Sequence, residues 1–181
     1  MKKIVVLLSV TIFSFQLSAQ TTADAPRPNM SRQEIGKTGY SAMMPDGMPM
    51  NGPVITPDSS QRFTGTKDVG GGFTFGFIAV KFQEFDNSTP DELEDLLVTY
   101  LDSVQKSWNI VKTNGYGGGK TLASDSKARG VIDYWSDKDG KEYALKGWAN
   151  KTGLCVLYIQ GPNIYPHTTI ADSFFDQFRF K

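Results

Sequence analysis

Between Thr89 and Trp108 the sequence carries one long amphipathic helical pattern, and this segment constrains the fold more than any other. Thr89, Pro90 and Glu92 stand where a capping box needs a hydroxyl, a residue without an N–H and a carboxylate that reaches back. Asp91 and Glu92 also sit at the positive end of the helix dipole. Leu93, Leu96, Leu97, Tyr100, Leu101, Val104 and Trp108 then recur at spacings of three and four, so one face is apolar. Glu94, Asp95, Asp102 and Lys106 fall off that face, toward solvent. The pattern predicts a helix over Pro90 to about Ser107 that must lie on another element.

Period-two segments supply that element. In Phe73 to Phe82, Phe73, Phe75 and Phe77 share one parity while Ile78, Val80 and Phe82 share the other, so a strand covered on both faces is expected. After the helix come a short strand at Asn109 to Thr113, a glycine-rich loop at Asn114 to Gly119, and strands at Val131 to Trp135, Tyr143 to Ala149 and Leu154 to Ile159. Asp139-Gly140 suits a tight hairpin turn between the first two of these three. Ile170, Ala171, Phe174, Phe175 and Phe178 mark a second, shorter helix over Thr169 to Gln177, and Phe178 to Phe180 reads as a closing strand. From Gly39 to Pro57 four prolines permit one short strand, around Tyr40 to Met44, before a loop. Strand, helix, meander and helix give an α+β fold, an antiparallel sheet packed with helices.

At the other end of the chain, Lys2 and Lys3 precede an apolar run from Ile4 to Phe15, followed by Leu17, Ser18, Ala19 and Gln20. This is the order of a secretory signal peptide over residues 1–19, with cleavage after Ala19. The run falls short of the roughly 20 residues that span a bilayer, and no later segment is apolar enough to do so. The product is expected in the periplasm or outside the cell, with no transmembrane segment once the signal is removed. Residues 20–37 are polar, contain Pro26 and Pro28, and read as a flexible lead-in; residues 38–181 read as one domain. The lone Cys155 cannot pair within the chain, and its neighbours Leu154, Val156 and Leu157 place it in a strand interior.

Composition narrows the chemistry. Lys plus Arg and Asp plus Glu each number 19, so no bulk field draws the chain to nucleic acid or an anionic bilayer. One His and one Cys leave little for zinc or nucleophilic chemistry, and His167 cannot build a zinc site without several carboxylates. Asn114 to Thr121 resembles a phosphate loop, but Asn114 occupies the first glycine position and no apolar-periodic helix follows Thr121. The acids of Asp137 to Glu142 lack the spacing of a calcium loop and are explained by a hairpin turn. No cofactor is expected, and the chain does not read as an enzyme. Paired carboxylates meeting in a cleft keep a small hydrolase as an alternative, since spatial separation decides that chemistry.

Two features point to binding. Met43, Met44, Met48 and Met50 are closely spaced thioethers, soft ligands suited to Cu(I), and support a copper-carrier alternative; adaptable methionines filling gaps on the core are the favoured explanation, since their spacing matches no fixed pattern and one His is available. Tyr116, Trp135, Trp148 and Tyr165 belong to a set of aromatics spread over loop and meander, and offer a partner or carbohydrate surface if several share an exposed face.

With these segments in place the order from Tyr40 onward resembles the PsbP/Mog-like α/β/α sandwich. The resemblance rests on Gly39 to Pro45, the aromatic strand Phe77 to Phe82, the capped helix, the turn Ala128-Arg129-Gly130, the strand ending Leu157 to Gly161, and the tail Ala171 to Phe180, where Gln177 stands in place of the usual Ser. It implies a non-catalytic binding or accessory module, here one that binds an envelope protein or component. No metal site or partner contact of that family carries over to matching residues. Fold alone does not fix function.

Overall fold

A computed structural model of the chain describes residues 25–83 and 89–180. The expected signal peptide, 1–19, lies outside the described residues.

The elements in chain order are β1 (Met30–Glu34), β2 (Ser41–Pro45), β3 (Asn51–Ile55), β4 (Gln61–Gly70), β5 (Phe73–Lys81), α1 (Pro90–Ser107), β6 (Ile110–Thr113), β7 (Gly117–Leu122), β8 (Asp125–Asp137), β9 (Glu142–Asn150), β10 (Gly153–Gly161) and α2 (Thr168–Asp176). β1 and β2 form a separate antiparallel hairpin. The remaining strands make one antiparallel sheet in the order β3-β4-β5-β10-β9-β8-β6, with β7 also pairing to β8. This is the α+β architecture expected from the sequence.

Alternation along the central strands divides the interior in two. On β10, Leu154, Val156 and Tyr158 join the cluster that holds Leu93, Leu97, Leu101 and Val104 of α1, while Cys155, Leu157 and Ile159 join the cluster that holds Phe174 and Phe175 of α2. β5 divides the same way, with Phe73, Phe75, Phe77 and Ala79 toward α2 and Val80 toward α1. Each helix therefore serves a different face of the sheet, α1 packing over β8 and β9, α2 against β10 and β2. The α1 cap forms as read: the Thr89 hydroxyl accepts from the Glu92 N–H and the Glu92 carboxylate accepts from the Thr89 N–H. Among the described residues no helix is long and apolar enough to cross a membrane.

Four expectations need correction. The lead-in expected over 20–37 is not unstructured throughout: Met30–Glu34 is β1, and Ala25 and Ile35 are buried in the core, so the folded unit begins before residue 38. Its polar side chains hid a strand that is held by backbone pairing to β2. The stretch after Met44 is not all loop, because Asn51–Ile55 pairs with β4, itself a strand the apolar pattern did not reveal. The glycine run enters β7 at Gly117, so only its first residues form a loop. Phe178 to Phe180 makes no closing strand; Arg179 forms a single bridge to Ser41 of β2.

Candidate binding surface

The four aromatics expected to form a partner surface are not on one. Trp135 and Trp148 are each 1% exposed and lie in the clusters on opposite faces of the sheet. Trp135 packs edge-on to Trp108, its Nε1 donating to Asp133 Oδ2 at 2.6 Å. Trp148 donates from Nε1 to the Phe175 carbonyl at 2.8 Å. Tyr165 is buried edge-on against Phe73 and Phe75, and its hydroxyl donates to the Pro26 carbonyl at 2.5 Å. Tyr116 is half-buried against α1, donating to Asp102 Oδ1 at 2.8 Å and accepting from Gln105 Nε2 at 2.7 Å. Burial, then the Asp102 carboxylate, pushes its hydroxyl above the ordinary tyrosine range. These rings were placed by burial, the commonest fate of strand aromatics.

Alternation along β2 separates Met43 from Met44, and Met48 and Met50 follow the strand. Met44 and Met48 are buried in the α2-side core and Met50 packs against it, while Met43 lies opposite Arg32 of β1 on the other side of the strand. Met44 and Met48 are thus part of the packed core, a role that adaptable thioethers suit. Among the described residues no group of three or more His, Cys, Asp and Glu side chains is placed to hold a metal ion. Cys155 is fully buried, and burial pushes its thiol far above the ordinary range.

The sequence motifs have structural partners too. The Gly119 N–H, which a phosphate loop would aim at an anion, donates to the Glu94 carboxylate at 2.8 Å. Asp137 closes the β8–β9 turn by accepting from the Asp139 and Lys141 N–H groups and from the Tyr143 hydroxyl. Burial pushes the Asp137 carboxyl up, but these three donors outweigh it and hold the group below the usual carboxylate range. His167 Nε2 lies 2.6 Å from the Ala25 carbonyl and donates to it.

The open surface lies elsewhere, and β8 shows where it begins. Residues 128, 130, 132, 134 and 136 of β8 face the α2 side. Ala128 at one end is fully buried, Ile132 is half-buried and Tyr134 is 38% exposed, so the cover runs out along a single strand. α2 ends at Asp176, whose carboxylate pairs with Lys146 of β9, and Lys146 in turn lies over the Trp148 ring, 4.9 Å from its centroid. Beyond that pair an open groove of about 300 Å³ is lined by Lys112, Asn114, Tyr134, Ser136, Glu142 and Ile164.

The groove is held in shape. Ser136 Oγ donates to Glu142 Oε1 at 3.0 Å across the β8–β9 pair. From the far side of β8 the buried Asp133 accepts from the Tyr134 N–H at 2.7 Å and the Asn114 N–H at 3.2 Å, besides the Trp135 indole. A carboxylate buried to 1% exposure is tolerated because these three donors satisfy it, and two of them belong to groove residues. Among the described residues the side chains of Lys112 and Asn114 and the Tyr134 hydroxyl make no hydrogen bond within the protein. The sequence showed Tyr134 only as a polar-tipped ring of opposite parity to Trp135. What it lacked was where on the sheet α2 lies.

No protein-family model matches the chain, and no curated protein matches it.

Proposed function

We propose that the chain is an exported, non-catalytic binding module of the cell envelope, working in the periplasm or outside the cell, and that the Tyr134 groove is its contact surface. The observation that carries this reading is the loss of cover along β8 from Ala128 to Tyr134, which leaves an aromatic ring and Ile164, 45% exposed, beside the polar heads of Lys112 and Asn114, which have no hydrogen-bond partner among the described residues. Exposed apolar side chains grouped with polar ones in a concavity are the ordinary composition of a recognition site. The amino-terminal Lys2-Lys3, apolar run and Ser18-Ala19-Gln20 support export. One helix on each face of an antiparallel sheet supports assigning the fold more finely to the PsbP/Mog-like sandwich, whose members include accessory proteins.

The test is retention of an envelope component from detergent-solubilised envelope by the immobilised chain, compared with Tyr134→Glu. A component kept by the native chain and lost from the variant supports the reading. Equal retention by both overturns the placement of the surface, and retention by neither overturns the function.

A further inference from the structure

We infer that the Tyr134 groove binds a neutral saccharide, one pyranose unit of an envelope glycan lying against the Tyr134 ring. This rests on the reading of the groove as the contact surface and names its ligand class.

A pyranose presents an apolar C–H face and a rim of hydroxyls that both donate and accept. A site for it needs an exposed aromatic plate, an apolar flank, mixed donors and acceptors and no net charge. The groove has each of these. Tyr134 is the plate and Ile164 the flank. Lys112 supplies only donors, Glu142 only acceptors and Asn114 both. Lys112 and Glu142 balance, so the groove favours neither a polyanion nor a polycation.

Preorganisation separates this groove from an arbitrary surface dip. A shallow site gains affinity when its groups are already ordered before binding. Asp133 fixes the backbone of both Tyr134 and Asn114 from the buried side, and the Asn114 N–H is shared with the Tyr134 carbonyl at 3.1 Å. Ser136 fixes one Glu142 oxygen, leaving Oε2 with no protein partner among the described residues. Asp133 is thus a positioning residue, and Tyr134, Asn114 and Glu142 are the groups that touch the sugar.

Native gels containing β-glucan, mannan, starch or glycol chitin test the assignment with the full mature chain. At least one polysaccharide is expected to retard the native protein. Tyr134→Ala should weaken that retardation about tenfold, the loss of one aromatic contact, while Tyr134→Trp, which keeps the plate, should retain it. Asn114→Ala is a second variant at a solvent-exposed position. Failure of all four polysaccharides to retard the native chain overturns the saccharide assignment, as does equal retardation of native protein and Tyr134→Ala. If envelope retention still depends on Tyr134 while no polysaccharide binds, the ligand is a protein and the binding reading stands without the sugar. If neither depends on Tyr134, the saccharide assignment and the placement of the contact surface in this groove both fall.

Discussion

The Trp148 indole donates to the Phe175 carbonyl at 2.8 Å, and this bond ties the middle of the sheet to the last turn of α2. It satisfies a helix-end carbonyl that has no partner of its own within the helix. Across the strand pair, Gly130 leaves room for the ring: a Cβ there would stand 2.4 Å from two of its carbons. Trp148→Phe, which keeps most of the ring but loses the donor, should destabilise the protein by about 1–3 kcal/mol in urea titration. Gly130→Ala should lower the midpoint through overpacking, by a comparable ~1–3 kcal/mol.

The helix cap predicts an acid-side effect. The Thr89 N–H and then the Thr89 hydroxyl hold the Glu92 carboxyl below the usual glutamate range. A depressed folded pKa means the contribution is complete above the unfolded value and is lost as pH falls through the folded one. Thr89→Ala should cost about 1 kcal/mol at neutral pH. The difference between native and variant should narrow below the ordinary glutamate pKa, read as thermal midpoints across a pH series.

Alkaline sensitivity follows from burial. Cys155 ionises far above its ordinary 9.0 in the folded chain, and burial pushes Tyr40 and Tyr158 from 10.0 up to about 12. Above the unfolded values the unfolded chain releases protons that the folded chain keeps, so stability should fall progressively as pH rises past 9.0. At neutral pH a thiol reagent such as dithionitrobenzoate should label Cys155 only in denaturant. Rapid labelling of the native protein would contradict the buried placement.

The Glu94 carboxylate latches the glycine-rich turn by accepting from the Gly119 N–H at 2.8 Å, while Tyr116 ties the same segment to Asp102. Glu94→Ala should speed hydrogen exchange at Gly119 with little change in global stability, because the bond is exposed and local. Unchanged exchange at that amide would show that the latch does not form in solution.

The sequence carried the parts of this fold that depend on local chemistry. The Thr89 to Glu92 cap and the two-sided strands beginning at Phe73 and Leu154 were legible because each residue's role is set by neighbours within a few positions. β1 and β4 were not, since Met30–Glu34 and Gln61–Gly70 are largely polar, carry no apolar alternation, and are held by backbone pairing to the strands that follow them, β2 and β5. The binding surface failed for a related reason. Parity separates Trp135 from Trp148, but only the tertiary placement of α1 and α2 decides that both are covered and that Tyr134 is not.

Site-specific photocrosslinking tests the central claim most directly. A benzoylphenylalanine in place of Tyr134, in the full chain expressed in living cells, should yield a discrete adduct with an envelope component, whether protein or glycan. The same probe at Val54, on the exposed edge strand β3, should yield none. No adduct from position 134, or indistinguishable adducts from both positions, would contradict the assignment of this groove as the surface through which the protein acts.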